Sequence, residues 1–144
     1  MRHRTVRDIM TYRQVQTRPP EASVRDASRV MAERNVGSVL VVEEDRLVGI
    51  FTERDVLRRV LGAGLDPDHT PLAQVMTRDP DTIRPGDSVC DVIRRMDEFG
   101  YRHLPVVEGG RVVGVVSTRD CSIGELAAMA HELEDRQAIA ERAW

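Results

Sequence analysis

The chain has no lysine, few cysteines and no long hydrophobic run, and each shortage excludes a class of function. All 21 residues counted as Lys plus Arg are arginines, so the chain has no glycine–lysine phosphate loop of the Walker type. The two cysteines, Cys90 and Cys121, stand in apolar stretches without metal-ligand spacing. We expect them to be small buried thiols in a reducing compartment, and we expect no metal site.

No apolar run approaches the roughly 18 residues of a membrane-spanning helix, and no apolar segment follows the basic N-terminus as in a secretory signal. The net charge of −3, with both signs mixed along the chain, gives no drive toward nucleic acid or an anionic membrane. A chain of 144 residues, 41% of them hydrophobic, can close a core. We therefore expect a cytoplasmic globular protein with neither a nucleic-acid nor a membrane partner.

The most informative feature that is present is an internal repeat. The motif from Gly49 to Asp55 (GIFTERD) returns 65 positions later, from Gly114 to Asp120 (GVVSTRD). Two copies of one small unit at this spacing are each expected to be too small to bury a full core alone. We therefore expect the copies to pack on each other and the seam between them to carry the function.

Each copy is predicted to fold as strand, helix, strand, strand, helix. Ser23 and Ser88 are predicted N-caps, each with an aspartate three residues on, and apolar residues at helical spacing follow them. Before each helix, a short extended segment is predicted (residues 15–17 and 82–83). Two apolar runs around a polar turn predict a hairpin in each copy, most strongly at Gly109-Gly110.

The last helix of the first copy is predicted from about Glu53 to Leu61, ending at a glycine-rich turn. In the second copy a helical stripe from Ile123 to Leu133 runs into a charged tail that ends at Trp144. Three interpretations of the tail stay open: it is a solvated capping helix, it covers the edge of the domain, or it mediates self-association. The predicted division is repeat 1 over 5–65, a linker over 66–70, repeat 2 over 71–130 and a helical tail over 131–144.

Thr52-x-x-Asp55 and Ser117-x-x-Asp120 stand where a strand ends and a helix begins. Free N–H groups at such a turn favour an anion, a hydroxyl can donate to a phosphate oxygen, and a carboxylate can accept from a vicinal diol such as a ribose. The glycine that opens each motif would let a flat ring approach the backbone. Both pairs also fit a variant capping box that serves only the helix itself. The two interpretations stay open at this stage.

The run from Arg102 to Val107 (RHLPVV), a hairpin and then the second motif resemble the CBS domain, named after cystathionine β-synthase. From about Thr5 to Met129 the chain resembles a tandem CBS pair, or Bateman module, with nothing appended. The resemblance implies an α/β (α+β) fold in which two repeats pack with pseudo-two-fold symmetry. It also implies a homodimer of such pairs.

The resemblance further implies a regulatory pocket for an adenosine-containing ligand: AMP, ADP, ATP, NAD, S-adenosylmethionine or a cyclic dinucleotide, with no required cofactor. The motif aspartates would hold the ribose diol, the motif hydroxyls would approach the phosphate, the residue after each motif glycine would line the adenine, and two threonines would add ring or ribose contacts. The implied ligand-binding residues are Ile50, Thr52, Asp55, Thr77, Thr82, Arg102, His103, Val115, Ser117, Arg119 and Asp120.

In similar proteins, basic residues just before the second strand reach the phosphates across the seam. Here they are Arg102 and His103, which we call the basic pair; the first copy departs from the pattern, with Gly37 at the position of the arginine. We expect the cleft of the first motif to bind phosphorylated ligand more tightly, drawing on the basic pair and Arg119. The cleft of the second motif would have only Arg54.

The function expected from the resemblance is a non-enzymatic sensor in signal transduction that acts in trans on an unidentified protein partner or on its own oligomer. The alternative is a structural dimerisation or interaction module whose clefts stay empty. An enzyme is disfavoured because the sequence shows no nucleophile beside a base and no carboxylate–histidine cluster.

Overall fold

The protein is described here by a computed structural model over residues 4–10 and 15–121. Helices and sheets alternate along the chain, and the α+β class predicted from the sequence is confirmed. The elements are α1 (Val6–Ile9), β1 (Thr17–Arg18), α2 (Val24–Arg34), β2 (Ser38–Glu43), β3 (Arg46–Thr52), α3 (Glu53–Asp55), which continues as a π-helical turn (Val56–Leu61), α4 (Leu72–Val75), β4 (Thr77–Arg78), α5 (Val89–Phe99), β5 (His103–Glu108) and β6 (Arg111–Ser117).

The two long helices form at equivalent places in the repeat, as predicted. Each buries a stripe of apolar residues at helical spacing: Val24, Ala27, Val30 and Met31 on α2, and Val89, Val92 and Met96 on α5. The capping prediction is only half right. The Ser23 hydroxyl accepts a hydrogen bond from the Asp26 N–H at 3.1 Å, whereas Ser88 stands at the N-cap position without a side-chain cap bond.

The predicted hairpins are confirmed. β2 pairs antiparallel with β3 from Ser38↔Thr52 onward, and β5 pairs with β6 from His103↔Ser117 onward. Gly109 and Gly110 have φ angles of 59° and 80°, as a primed hairpin turn requires. The first hairpin holds the same left-handed conformation at Glu44 and Asp45, where side chains make it less favourable.

The extended segments that precede the helices are shorter than expected. β1 begins at Thr17 and runs parallel to β2, while the second copy has only a single parallel bridge, Ile83↔Val106. The sheet of the first copy gains a fourth strand, β4, beside β3, giving the order β1-β2-β3-β4, while the second sheet is the β5-β6 hairpin. The helix over Glu53–Leu61 ends at Gly62 as predicted, but its last six residues (Val56–Leu61) are π-helical, with the Gly62 N–H bonded to the Leu57 carbonyl at 2.8 Å.

The two hydrophobic cores exchange short segments. Leu72, Val75 and Met76, which follow the predicted linker, pack in the core of the first hairpin unit. Val6 and Met10, from the start of the chain, pack in the core of the second. Each core is therefore completed by the segment at the start of the other repeat.

The motif glycines make room for this exchange. A Cβ on Gly49 would collide with the Met76 side chain and lie 3.1 Å from the Thr77 carbonyl oxygen, and one on Gly114 would lie 3.2 Å from the Met10 sulfur. The space beside each glycine is filled by a methionine side chain, and the expected approach of a flat ring to the backbone stays a prediction. Each glycine admits a methionine from the segment that the other repeat contributes to its core, which we call the crossing segment: Met76 packs at Gly49 and Met10 at Gly114.

Three further expectations concern parts of the chain away from the hairpins. Cys121 is buried as expected, but Cys90 is exposed, because it lies off the buried stripe of α5. Within the described ranges, no helix has the length and apolar character needed to cross a membrane. The helix predicted from Ile123 to Leu133 and the tail to Trp144 lie outside the described residues.

The unequal caps give a first test. We expect Ser23→Ala to lower the free energy of unfolding by about 1 kcal/mol, because the Asp26 N–H loses its acceptor. Ser88→Ala should cost clearly less, since no side-chain cap bond is lost there. Urea unfolding followed by circular dichroism measures both, and equal losses in the two variants would contradict the structure.

Candidate functional site

Two clefts open where the repeats meet. The first, with a volume of about 370 Å³, lies between the β3–α3 turn of one repeat and the α5–β5 loop of the other. Its wall brings together Ile50, Thr52 and Asp55 from the first repeat and Tyr101 and Arg102 from the second. Thr77 completes it, because β4 pairs with β3 at Ile50↔Thr77.

The second cleft is larger, about 600 Å³, and is built in the reciprocal way. Val115, Ser117 and Asp120 come from the β6 end of the second repeat, while Gly37 and Ser28 come from the α2–β2 region of the first. Each cleft therefore combines a motif of one repeat with a loop of the other. The seam predicted from the repeat is the place where both clefts lie.

Both motifs form capping boxes. In the first, the Thr52 N–H and hydroxyl donate to Asp55 Oδ2 at 2.9 and 3.1 Å, and the Asp55 N–H donates back to the Thr52 hydroxyl oxygen at 3.3 Å. Ser117 and Asp120 repeat this arrangement at 2.8, 3.1 and 3.3 Å. The capping interpretation that the sequence left open is thus realised in both copies.

This geometry limits what each group can offer a ligand. The single hydroxyl proton of Thr52 is used on Asp55, so the hydroxyl must give up that bond before it can donate to a phosphate. The box engages only Oδ2 of Asp55; Oδ1 lies 3.5 Å from the Arg59 Nε in an ion pair along the helix. Asp55 is buried at the cleft wall, so Oδ1 is the atom that remains to accept from a diol.

His103 lies at the centre of the seam. A Cβ on Gly37 would be 2.8 Å from His103 Nε2 and 3.2 Å from a carboxylate oxygen of Glu53. The imidazole therefore occupies the space that any larger side chain at position 37 would need. Burial lowers the pKa of His103 below its usual 6.5 and Arg102 adds to the lowering, while Glu53 and Asp120 oppose it.

The structure separates the implied ligand-binding residues by cleft. Ile50, Thr52, Asp55 and Thr77 line the first cleft, Val115, Ser117, Arg119 and Asp120 line the second, and Arg102 and His103 line both. Thr82 lines neither; it is exposed, and its carbonyl accepts a hydrogen bond from Arg95 at 3.1 Å.

The predicted distribution of positive charge between the two clefts is wrong for two arginines. Arg119 lines the second cleft and not the first, and Arg54 lines the first and not the second. Each arginine directly precedes its own motif aspartate at the start of a helix and lines the same cleft as that aspartate. Arg119 therefore gives no support to a tighter first cleft.

Sequence reasoning missed several residues of the walls. Tyr101 donates to Asp81 Oδ2 at 2.6 Å at one end of the first cleft, and Arg78 lines the same cleft. The position of Tyr101, next to the basic pair, could have indicated it. Ser28 lines the second cleft, and its hydroxyl is buried without a hydrogen-bond partner in the described part of the chain. Nothing in the sequence distinguishes Ser28 from other polar residues of a surface helix.

Within residues 4–10 and 15–121, no group of three or more His, Cys, Asp or Glu side chains could hold a metal ion. Comparison with known families gives two matches to the CBS domain, over residues 6–62 and 72–122. The chain belongs to the CBS domain family. Its two repeats form a CBS domain pair, as the resemblance implied.

The chain is 35% identical over 127 residues to the CBS domain-containing protein CBSCBSPB2 of Arabidopsis thaliana, covering 85% of this chain and 24% of that protein. It is 32% identical over 123 residues to the CBS domain-containing protein YhcV of Bacillus subtilis (strain 168), covering 85% and 86% of the two chains. The chain thus spans about a quarter of the length of the Arabidopsis relatives that it matches.

Two similar solved structures contain ligands. The CBS domain pair of protein MJ0100, in complex with 5′-methylthioadenosine and S-adenosyl-L-methionine, has a TM-score of 0.76, 25% identity, and coverage of 90% of this chain and 99% of that one. CBSX2 in complex with AMP has a TM-score of 0.72, 25% identity, and coverage of 87% and 98%. The CBS domain pair is therefore an architecture in which adenosine-containing ligands are bound.

The pKa of His103 gives a second test. Because the folded protein holds this pKa below 6.5, the unfolded chain binds more protons as the pH falls through 6.5, and stability is lost there. We expect the stability of the wild type relative to His103→Gln to fall on going from pH 7.5 to pH 5.5. Urea unfolding of both proteins across this range measures the difference. A difference that does not change with pH, or an NMR titration of His103 with a midpoint above 6.5, would contradict the assignment.

Proposed function

We propose that this CBS domain pair is a non-enzymatic sensor that binds an adenosine-containing ligand of the AMP, ADP or ATP type between its repeats. The observation that carries the proposal is a motif aspartate at a strand-to-helix turn in each cleft, with the basic pair at the junction. A carboxylate for the ribose thus faces one space with the Arg102 cation and the His103 ring N–H, both of which can bond to a phosphate. The complexes of MJ0100 and CBSX2 with adenosine-containing ligands support it.

In this proposal, different side chains bind the ribose, the adenine and the phosphate of the ligand. Oδ1 of Asp55, or of Asp120 in the second cleft, accepts from the ribose diol, and Ile50 or Val115 lies against the adenine. Arg102 and His103 hold the phosphate, because charge-assisted bonds from arginine are the strongest available there. Thr52 and Ser117 hold the aspartates in place by the capping boxes, and Thr77 adds a polar contact in the first cleft.

Binding between repeats supplies a way to signal. A ligand held by Asp55 of one repeat and Arg102 of the other stabilises the arrangement of the repeats in which both are in reach. That arrangement would be read in trans by a protein partner or by the protein's own homodimer, in the cytoplasm. Leu57 and Leu61, which are 64% and 60% exposed on one side of the π-helical turn, are large apolar side chains that such a contact would cover.

A structural interaction module with empty clefts is the second candidate. The capping boxes favour it, because both motif pairs are satisfied without a ligand. The two candidates differ in what the aspartates are needed for. In a sensor they are needed for ligand binding; in a structural module they are needed only for stability.

A thermal-shift series separates the two. We expect an adenine ligand (AMP, ADP, ATP, NAD, S-adenosylmethionine or a cyclic dinucleotide) at about 100 times its dissociation constant to stabilise the protein by about 2.7 kcal/mol, a shift of several degrees. GMP is the control ligand. The Asp55→Ala variant should lose most of the thermal stabilisation that ligand binding in the first cleft gives the wild type.

Asp8→Ala is the matched control variant. Asp8 closes the same kind of box on Thr5, with the Thr5 N–H donating to Asp8 Oδ2 at 2.9 Å, yet it lines neither cleft. The Asp8→Ala variant should unfold at a lower temperature than the wild type but show the same ligand-induced shift of its unfolding temperature. The absence of a shift with every ligand, or equal ligand shifts in both variants and the wild type, would favour the structural module.

Ser28 gives a test for the second cleft. A buried hydroxyl without a partner costs about 1–3 kcal/mol, and a ligand that bonds to it would recover part of this cost. We expect Ser28→Ala to leave the unfolding free energy of the ligand-free protein unchanged or higher, and to weaken binding in the second cleft by about two- to tenfold. Thermal unfolding and isothermal titration calorimetry measure the two effects. Lower stability with unchanged affinity would show that the hydroxyl serves the fold.

A further inference from the structure

The two clefts share part of their wall. Glu53, Arg102 and His103 line both, whereas every other lining residue in the described parts of the chain belongs to one cleft. The shared residues come together because the α5–β5 loop crosses the seam opposite Gly37, where the imidazole lies. The clefts therefore meet at this junction.

Of the three shared residues, Arg102 is a cation and His103 can donate a ring N–H to an anion, whereas Glu53 repels one. Arg102 is exposed, and its guanidinium makes no hydrogen bond or ion pair with the described residues. Its carbonyl accepts from the Thr118 N–H at 2.9 Å, which fixes its backbone beside the second motif. His103 is within electrostatic reach of Glu53, at the start of α3, and of Asp120, in the second motif. The basic pair thus faces both motifs.

The other cations are divided between the clefts. Arg54 and Arg78 line the first and Arg119 lines the second. Each cleft therefore keeps some attraction for a phosphate of its own. The basic pair cannot bind a phosphate in both clefts at once, because a guanidinium that pairs with one phosphate through two hydrogen bonds is not available to pair in the same way with another. Two phosphates at one junction would also repel each other.

We propose that Arg102 and His103 form one anion subsite that serves both clefts, so that a phosphorylated adenosine ligand in one cleft weakens the binding of a second phosphorylated ligand in the other. An uncharged adenosine ligand does not use this subsite and binds the two clefts independently. The inference rests on the proposed function. It adds that the pair holds one phosphorylated ligand tightly and leaves the other cleft to an uncharged ligand of the adenosine class.

The test compares AMP with adenosine by isothermal titration calorimetry on the full chain. Asp55→Ala and Asp120→Ala each leave one working cleft. We expect the second AMP to bind the wild type at least about tenfold more weakly than AMP binds the same cleft in the variant that lacks the other, a coupling of about 1.4 kcal/mol. Adenosine should show no such difference. Arg102→Ala should weaken AMP in both clefts and reduce the coupling.

A measurement on the wild type alone guards against variants that fold poorly. The two stepwise constants for AMP should differ by at least about tenfold more than those for adenosine, with one AMP against two adenosines per chain as the limiting result. Equal AMP affinities in the wild type and the single-cleft variants would overturn the proposal, and so would coupling that persists in Arg102→Ala. If neither AMP nor adenosine binds, the proposed function itself is overturned; if both bind without coupling, only the shared subsite is.

Discussion

The exchange of short segments between the two repeats is the constraint on which the rest of the structure depends. Val6 is fully buried in the second core and Leu72 in the first, so neither hairpin unit closes its core with its own contiguous chain. Removing either segment would expose apolar surface and leave a void, which interiors do not tolerate. The repeats are therefore parts of one cooperative fold, although the sequence presents them as separate copies.

The same exchange builds the first cleft. After α4 completes the core, the chain continues as β4 along the edge of β3, with Thr77 opposite Ile50 and Arg78 opposite Gly49. The absence of a side chain on Gly49 is what lets Met76 pack against the strand at that point. One crossing segment thus fills the core with Met76 and forms the cleft wall with Thr77. A substitution that disturbs the crossing would change stability and site geometry together.

The parts of this structure that were predicted from sequence are those fixed by local rules. Helix stripes follow a 3.6-residue period, and the Gly109-Gly110 turn follows from the positive φ angles that glycine accepts. The exchange of segments was missed because it depends on which core a short apolar run joins, and periodicity says nothing about that. The placement of Arg119 was missed for a similar reason: its cleft is set by the way the repeats face each other.

The two repeats differ at the positions of the basic pair, and this difference has a steric cause. Positions 37 and 102, and likewise 38 and 103, are equivalent in the two copies, and the structure brings Gly37 and His103 together at the seam. Position 37 and the His103 side chain compete for the same volume, so bulk on one side requires its absence on the other. Gly37 is the position that yields, because a single added carbon there would lie 2.8 Å from the imidazole. A second copy of the basic pair, with arginine at position 37, would have to displace the His103 imidazole. This chain therefore has a motif aspartate in each cleft but one basic pair, which lines both, while Arg54 and Arg78 line only the first cleft and Arg119 only the second.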